Sequence, residues 1–254
     1  MKIRFLGTGT STGIPEIGCT CQVCQSSDKR DKRLRASVLI EEKGRNILID
    51  CGPDFREQML DLPFRKIDGV LLTHEHYDHV GGLDDLRPFS KFGDVCIFAE
   101  KKVSNSIQRR MPYIFVKEKY PGVPRLEMIE IKNEPFFVDD VAVVPIRIMH
   151  YTLGIFAYRI GQFAYITDMK SIPDEELPKL RDLDILVVNA LRISEHLSHQ
   201  NLEQALAFAD HVRAKATYFI HMSHDMGLHA VMEKTLPANV FFAYDGLELE
   251  IESV

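Results

Sequence analysis

The stretch His74-Glu75-His76-Tyr77-Asp78-His79 places three histidines and two carboxylates within six residues, directly after the apolar run Val70-Leu71-Leu72 and just ahead of Gly81-Gly82. An apolar run of that kind reads as a strand. A strand that hands such a cluster to a turn is delivering metal ligands, because imidazole and carboxylate are the usual donors for divalent zinc, manganese or iron. Further histidines and an aspartate fall at strand ends downstream, where the same site would need them.

Three other predicted strands stop at a ligand-type residue. Val141–Met149 runs into His150, Phe163–Thr167 into Asp168, and Thr217–Ile220 into His221. Together with Val70–Leu72, four strand ends converge, which is how α/β proteins commonly assemble a site. Elsewhere the pattern predicts a first strand over Lys2–Leu6 and a hairpin of Ser37–Glu41 with Asn46–Asp50. Helices are predicted over Phe55–Leu62, over His79–Leu86 beginning inside the motif, over Lys101–Arg110 and over Asn201–Val212. Short strands follow at Cys96–Ala99, Ile185–Asn189 and Val240–Ala243, and Phe156–Ile160 pairs with Phe163–Thr167 across Gly161-Gln162. Pro112–Pro124 has no clear period and reads as an ordered excursion over the surface. No linker, low-complexity segment or tandem repeat interrupts the chain, so residues 1–254 are expected to form one domain. Hairpins followed by a helix in each half imply two packed sheets with helices outside.

A second cluster is Cys19-Thr20-Cys21-Gln22-Val23-Cys24. Three thiols this close can converge on one tetrahedral ion and leave a fourth position for a ligand from elsewhere. Cys51 and Cys96 read as buried small hydrophobes. The opening residues Met1–Gly9 turn polar too quickly for a signal peptide, and no apolar run approaches the roughly 20 residues that span a bilayer. Thiols without a secretion signal point to a reducing cytoplasm. A formal charge of −6, from 31 basic and 37 acidic residues, argues against a dedicated nucleic-acid binder. That count omits bound ions, and two divalent metals would make the site itself cationic.

Two further stretches are read both ways. Gly7-Thr8-Gly9-Thr10-Ser11-Thr12-Gly13 is a phosphate cradle or a tight turn skirting the site. The run Lys29-Arg30-Asp31-Lys32-Arg33-Leu34-Arg35 is a solvated face or a contact for an anionic substrate. Asp50, after the hairpin, either orients a ligand histidine or is buried structure, and Asp54 follows it. His211 reads as a surface or packing residue, and His229 as structural or in contact with substrate.

His74-x-His76-x-Asp78-His79 followed by Gly81-Gly82, with histidine, aspartate and histidine in that order downstream, resembles the metallo-β-lactamase superfamily. That resemblance runs from Lys2 to Asp245 and implies the αββα four-layer sandwich, with the site at one edge of two mixed sheets. It implies that His74, His76 and His150 hold one metal, that Asp78, His79 and His221 hold a second, and that Asp168 bridges the two. Gly7-Thr8-Gly9, Cys19-x-Cys21-x-x-Cys24 and the pair His221-x-x-His224 resemble the PhnP-like phosphodiesterases, which open phosphoribosyl 1,2-cyclic phosphate. The resemblance then implies a structural zinc on Cys19, Cys21, Cys24 and His224. It also implies two catalytic ions (manganese or zinc, with iron a third choice), a metal-bridging hydroxide as nucleophile and a histidine that assists the leaving group. His199 matches that histidine, with His196 as its competitor. The related enzymes imply a small phosphodiester substrate and a homodimer. The rival readings are a tRNA 3′-end-processing nuclease, a thioester or lactone hydrolase on the same metal pair, and a non-catalytic ligand-binding member.

Overall fold

In the computed structural model, which describes residues 1–116 and 120–252, fourteen strands form two seven-stranded sheets. The first half supplies β1 (Lys2–Gly7), β2 (Ser37–Glu42), β3 (Arg45–Ile49), β4 (Gly69–Leu71), β5 (Val95–Glu100) and β6 (Leu126–Ile131). The second half supplies β7 (Phe136–Val138), β8 (Val141–His150), β9 (Leu153–Ile160), β10 (Phe163–Ile166), β11 (Ile185–Asn189), β12 (Ala216–Ile220) and β13 (Val240–Phe242). A last strand, β14 (Glu248–Glu250), returns to pair with β1. The sheet orders are β14-β1-β2-β3-β4-β5-β6 and β13-β12-β11-β10-β9-β8-β7.

Each half begins with antiparallel hairpins and then turns parallel, from β3 to β6 in one sheet and from β10 to β13 in the other. The halves therefore share one topology, although no repeat is visible in their residues. Parallel strands are covered on both faces, so they read as unbroken apolar runs. Ile47-Leu48-Ile49 and Ile185-Leu186-Val187-Val188 are of this kind, and all are buried. Their period of two sorts them between layers. Ile47, Ile49, Leu71 and Val187 face the core between the sheets, against Phe156, Tyr158 and Tyr165. Leu48, Val70 and Leu72 face outward onto Phe55, Leu83, Val103 and Ile107. Leu186 and Val188 face outward onto Ala205, Phe208 and Ala209 of the helix Leu202–Val212. Three apolar layers between four structural layers give the expected αββα sandwich.

The structure corrects several expectations in detail. The helix after the hairpin spans only Phe55–Leu60, because Pro63 drives Leu62 out of the helical region. The helix inside the motif is the single turn Tyr77–Val80, and Leu83–Phe92 follows as a separate 3₁₀ segment. Gly81-Gly82 lies between the two and lets the backbones meet: a Cβ at Gly82 would collide with the Gly52 carbonyl, and one at Gly52 with the Asp78 carbonyl. The strands β6, β7 and β14 are additional to the predicted set. β6 and β14 lie at an edge and carry exposed glutamates, which hides their strand character. Within Pro112–Pro124, Pro112–Phe115 is one helical turn and residues 117–119 lie outside the described residues. Cys51 is fully buried, whereas Cys96 is only half-buried.

Candidate metal centre

The end of β4 is fixed from both sheets before it reaches the first histidine. Leu72 N–H donates to Phe98 O at 3.0 Å, and the Tyr158 hydroxyl, from the opposite sheet, donates to Leu72 O at 2.6 Å. Thr73 N–H donates to Asp50 Oδ1 at 2.9 Å. His74 then points inward with its Nδ1 2.9 Å from Thr73 Oγ1 and its Nε2 3.0 Å from His76 Nδ1. Asp78 and His79 leave from the short helix, held in place by Cys51 N–H donating to His79 O at 2.8 Å and Gly82 N–H donating to Cys51 O at 2.9 Å.

The sequence-predicted ligands do come together, and they separate into groups. His74, His76 and His150 have ligand atoms within 4.8 Å of one another; so do Asp78, His79, Asp168 and His221. A third group joins His150, Asp168 and His199, which places Asp168 beside both sets. Its carboxylate lies 3.2 Å from His79 Nε2 and 3.2 Å from His221 Nε2. Asp50, Asp168 and His221 each follow a strand with a left-handed backbone, at φ of 61°, 58° and 56°. That conformation costs about 1 kcal/mol for a non-glycine residue, and it turns each side chain from the end of its strand into one pocket.

The electrostatics follow from burial and pairing. Burial opposes charge on His79, but the carboxylates of Asp78, Asp168 and Asp50 outweigh it and hold the imidazole well above its usual pKa. Burial likewise opposes ionisation of Asp168, and His221 and His79 overcome it, so its pKa lies well below the usual carboxylate range. Burial pushes His74 well down and lowers His76, which is further disfavoured by His150. His199 falls to about 4, because its burial exceeds the help it receives from Asp168.

The donors fit a metal. Among the described residues His79 Nε2 and His221 Nε2 are buried without a hydrogen-bond partner, and both face the Asp78 and Asp168 carboxylates. Their tautomers suit coordination as well. His79 Nδ1–H donates to Asp50 at 2.6 Å and His150 Nδ1–H donates to Ser198 O at 3.1 Å, which leaves each Nε2 as the atom that would coordinate, on His79 by displacing the proton that the surrounding carboxylates hold there. Imidazole and carboxylate in this mixture suit zinc, manganese and iron.

Cys19, Cys21, Cys24 and His224 form a separate group within 4.8 Å, with Cys24 Sγ 3.3 Å from His224 Nδ1. Two residues separate His221 from His224, and a 3₁₀ turn beginning at His224 aims the two rings at different clusters. The Gly7–Gly13 loop skirts this segment as a turn. Gly9 and Thr10 N–H donate internally, to Leu34 O and Met222 O, so those amides are not a phosphate cradle. The basic run is solvated only in part: Lys29 is exposed and Arg30, Lys32 and Arg35 are half-buried, but Asp31 and Arg33 are buried, and Arg33 bonds Thr8 Oγ1 at 2.8 Å and His229 Nδ1 at 3.1 Å. His229, which also meets Glu233 at 3.0 Å, belongs to this structural network. His211 is exposed on its helix, and Asp54 pairs with Arg35 at 2.8 Å.

Sequence reasoning singled out neither Thr73, Tyr158, Asn189, Ser198 nor Lys170, all of which support the ligands. For Asn189 a signal exists, since a polar residue ending the buried run Ile185–Val188 must spend its amide on something. It clamps Met169, beside Asp168, through both N–H and C=O, at 2.6 and 3.0 Å.

A four-layer sandwich that gathers seven His and Asp side chains able to hold metal at one edge of its sheets is the pattern of the metallo-β-lactamase fold, and the relatives agree. The beta-lactamase superfamily domain matches residues 45–222, so the chain belongs to that superfamily and has the metallo-β-lactamase fold. A solved structure described as a new diphosphatase from the PhnP family superimposes with a TM-score of 0.92 at 40% identity, covering 99% of this chain and 98% of that one. Within the superfamily the chain is thus a member of the PhnP family. An octanoyltransferase of Porphyromonas gingivalis is 47% identical over 255 residues, which are 99% of this chain but 52% of that protein. A ribonuclease Z of Bacillus cereus is 29% identical over 167 residues, 63% of this chain and 49% of that protein. The chain spans about half the length of these curated relatives. Among the described residues no helix is long and apolar enough to cross a membrane.

Proposed function

We propose that the protein is a metal-dependent phosphodiesterase that hydrolyses a small phosphoric diester of the phosphoribosyl 1,2-cyclic phosphate type. The observation that carries this reading is the place of Asp168, next to both ligand groups and 2.8 Å from His199 Nε2. Held by His74, His76 and His150 on one side, by Asp78, His79 and His221 on the other, and by Asp168 between, two divalent ions would supply Lewis acidity to a water and to the phosphoryl oxygens. The water oxygen bonds to phosphorus, the bond from phosphorus to the sugar oxygen breaks, and that oxygen needs a proton.

His199 is placed to give it. Its low pKa, about 4, keeps the ring neutral at pH 7. A phosphoryl group arriving beside it brings negative charge, which favours the imidazolium, and the proton passes on to the departing alkoxide. His196 stands one layer further out, its Nδ1 3.2 Å from His199 Nδ1, and supports His199. Cys19, Cys21, Cys24 and His224 would hold a structural zinc that braces the segment carrying His221.

The diphosphatase description of the 40% identical relative favours a second reading, cleavage of a phosphoanhydride. Its leaving group is a phosphate, which needs less protonation than an alkoxide. The octanoyltransferase match sets no substrate, because the chain covers only 52% of that protein. Among partners we propose a homodimer in the cytoplasm, with neither nucleic acid nor membrane bound; the charge of −6 supports a small ligand over RNA.

The test is turnover of ribose 1,2-cyclic phosphate, bis(p-nitrophenyl) phosphate, a dinucleoside diphosphate and a tRNA precursor by manganese- or zinc-loaded protein. Cleavage of the cyclic and linear diesters is expected. Turnover of the diphosphate alone would install the second reading, and cleavage of the tRNA precursor alone would sink both.

A further inference from the structure

We propose that Lys170 is a positioning residue that holds His199 against Asp168; the inference rests on the reading of His199 given above. Residues 191–200 contain neither helix nor strand, and Ile193 and Leu197 in that loop are exposed. Backbone bonds close the ends of the loop, Leu191 N–H donating to Gln200 O at 3.0 Å and Leu202 N–H to Arg192 O at 2.9 Å, and the stretch between them that carries His196 and His199 is held by side chains. The Lys170 ammonium reaches into the loop and meets His196 O at 2.8 Å, His199 O at 3.4 Å and Gln204 Oε1 at 3.0 Å. An ammonium has three N–H donors, and here three oxygens of neutral groups take them. The side chain thus acts as a geometric clamp on one short loop.

The base of the clamp is equally well anchored. Lys170 N–H donates to Met149 O at 2.8 Å and Met149 N–H to Ser171 O at 2.8 Å, which zips this segment onto the end of β8 beside His150. Met169 O accepts from Gln200 N–H at 3.0 Å, and Asn189 grips Met169 from the other side. The segment that turns Asp168 into the pocket is consequently the one from which the loop of His199 hangs. Gln204 extends the clamp to the helix Leu202–Val212, where it also closes a capping box with Asn201. Lys170 touches no reacting atom on this account; it acts through His199.

The experiment is a double-mutant cycle between Lys170→Met and His199→Ala on metal-loaded protein, with kcat, KM and metal content measured for each variant. Two substrates are compared, ribose 1,2-cyclic phosphate with an alkoxide leaving group and bis(p-nitrophenyl) phosphate with a stabilised phenolate. Misplacing His199 by an ångström should lower kcat on the cyclic ester by about 10- to 100-fold. The loss on the nitrophenyl ester should be much smaller, with KM and metal content near those of the parent. Lys170→Met should add nothing in the His199→Ala background. Losses that multiply in the double variant, or that fall equally on both substrates while His199→Ala discriminates between them, would overturn the inference. If His199→Ala itself fails to discriminate, the proton-donor reading falls, and non-additivity alone still decides whether Lys170 acts through His199. Should Lys170→Met not fold, Gln204→Ala takes its place in the same cycle, with a smaller loss expected.

Discussion

Asp50 Oδ2 lies 2.6 Å from His79 Nδ1, and both side chains are completely buried. The same carboxylate takes the Thr73 hydroxyl at 2.9 Å, and Thr73 Oγ1 stands 2.9 Å from His74 Nδ1. One aspartate therefore orients a ligand from each of the two groups, His79 directly and His74 through a threonine.

Asp50→Ala should accordingly weaken metal binding at both groups, by about 10- to 100-fold as is usual when a residue orienting a ligand histidine is removed. Competition with a calibrated chelator measures this. Unaltered affinity at both positions would show that the histidines orient themselves.

Gly52→Ala tests the backbone contact beneath the motif. The new Cβ would collide with the Asp78 carbonyl, so the helix turn bearing Asp78 and His79 must shift. Loss of about 1–3 kcal/mol is expected from overpacking, together with reduced metal content. Urea unfolding and metal analysis of the same preparation report both.

At the cysteine cluster, burial pushes the Cys24 thiol up to about 11. The metal-free cluster then holds that proton at neutral pH, and an ion must displace it. Zinc affinity should rise with pH, roughly tenfold per unit for each proton released. Calorimetry in buffers of different ionisation enthalpy counts the protons. Cys21→Ser should lose one zinc per chain and lower Tm by more than about 5 °C; an unchanged zinc count would remove this cluster from the metal sites.

Asp245 gives a stability signature of its own. Burial raises its pKa from 3.8 to about 6, against the pull of Thr8, Leu34 and Arg33. The folded state therefore keeps a proton that the unfolded chain has lost between these values. Its contribution is full below the unfolded pKa, declines as pH rises to about 6 and is flat above, a change of roughly 3 kcal/mol. The stability difference between the parent and Asp245→Asn, followed by urea unfolding from pH 4 to pH 7, should narrow by up to that amount. A difference independent of pH would contradict it.

The sequence by itself determined the kind of chemistry and the strands that carry it. His74, His76, Asp78 and His79 are adjacent in the chain, and His150, Asp168 and His221 each end an apolar run, so residue type and period sufficed to name them. The fold class followed from the same runs. The resemblance implied how these donors divide, but only the tertiary structure gathers them that way, with three imidazoles on one side, Asp78, His79 and His221 on the other, and Asp168 next to both. It also placed His199 rather than His196 beside Asp168, turned the basic run inward through Arg33, and set Asp50 and Lys170 behind the ligands. These relations join residues far apart in the chain, 200 positions in the case of Cys24 and His224, and they depend on side-chain direction at strand ends. Local propensity says where a strand stops; the packing of two sheets, with three left-handed residues at their edge, says which way the next side chain points.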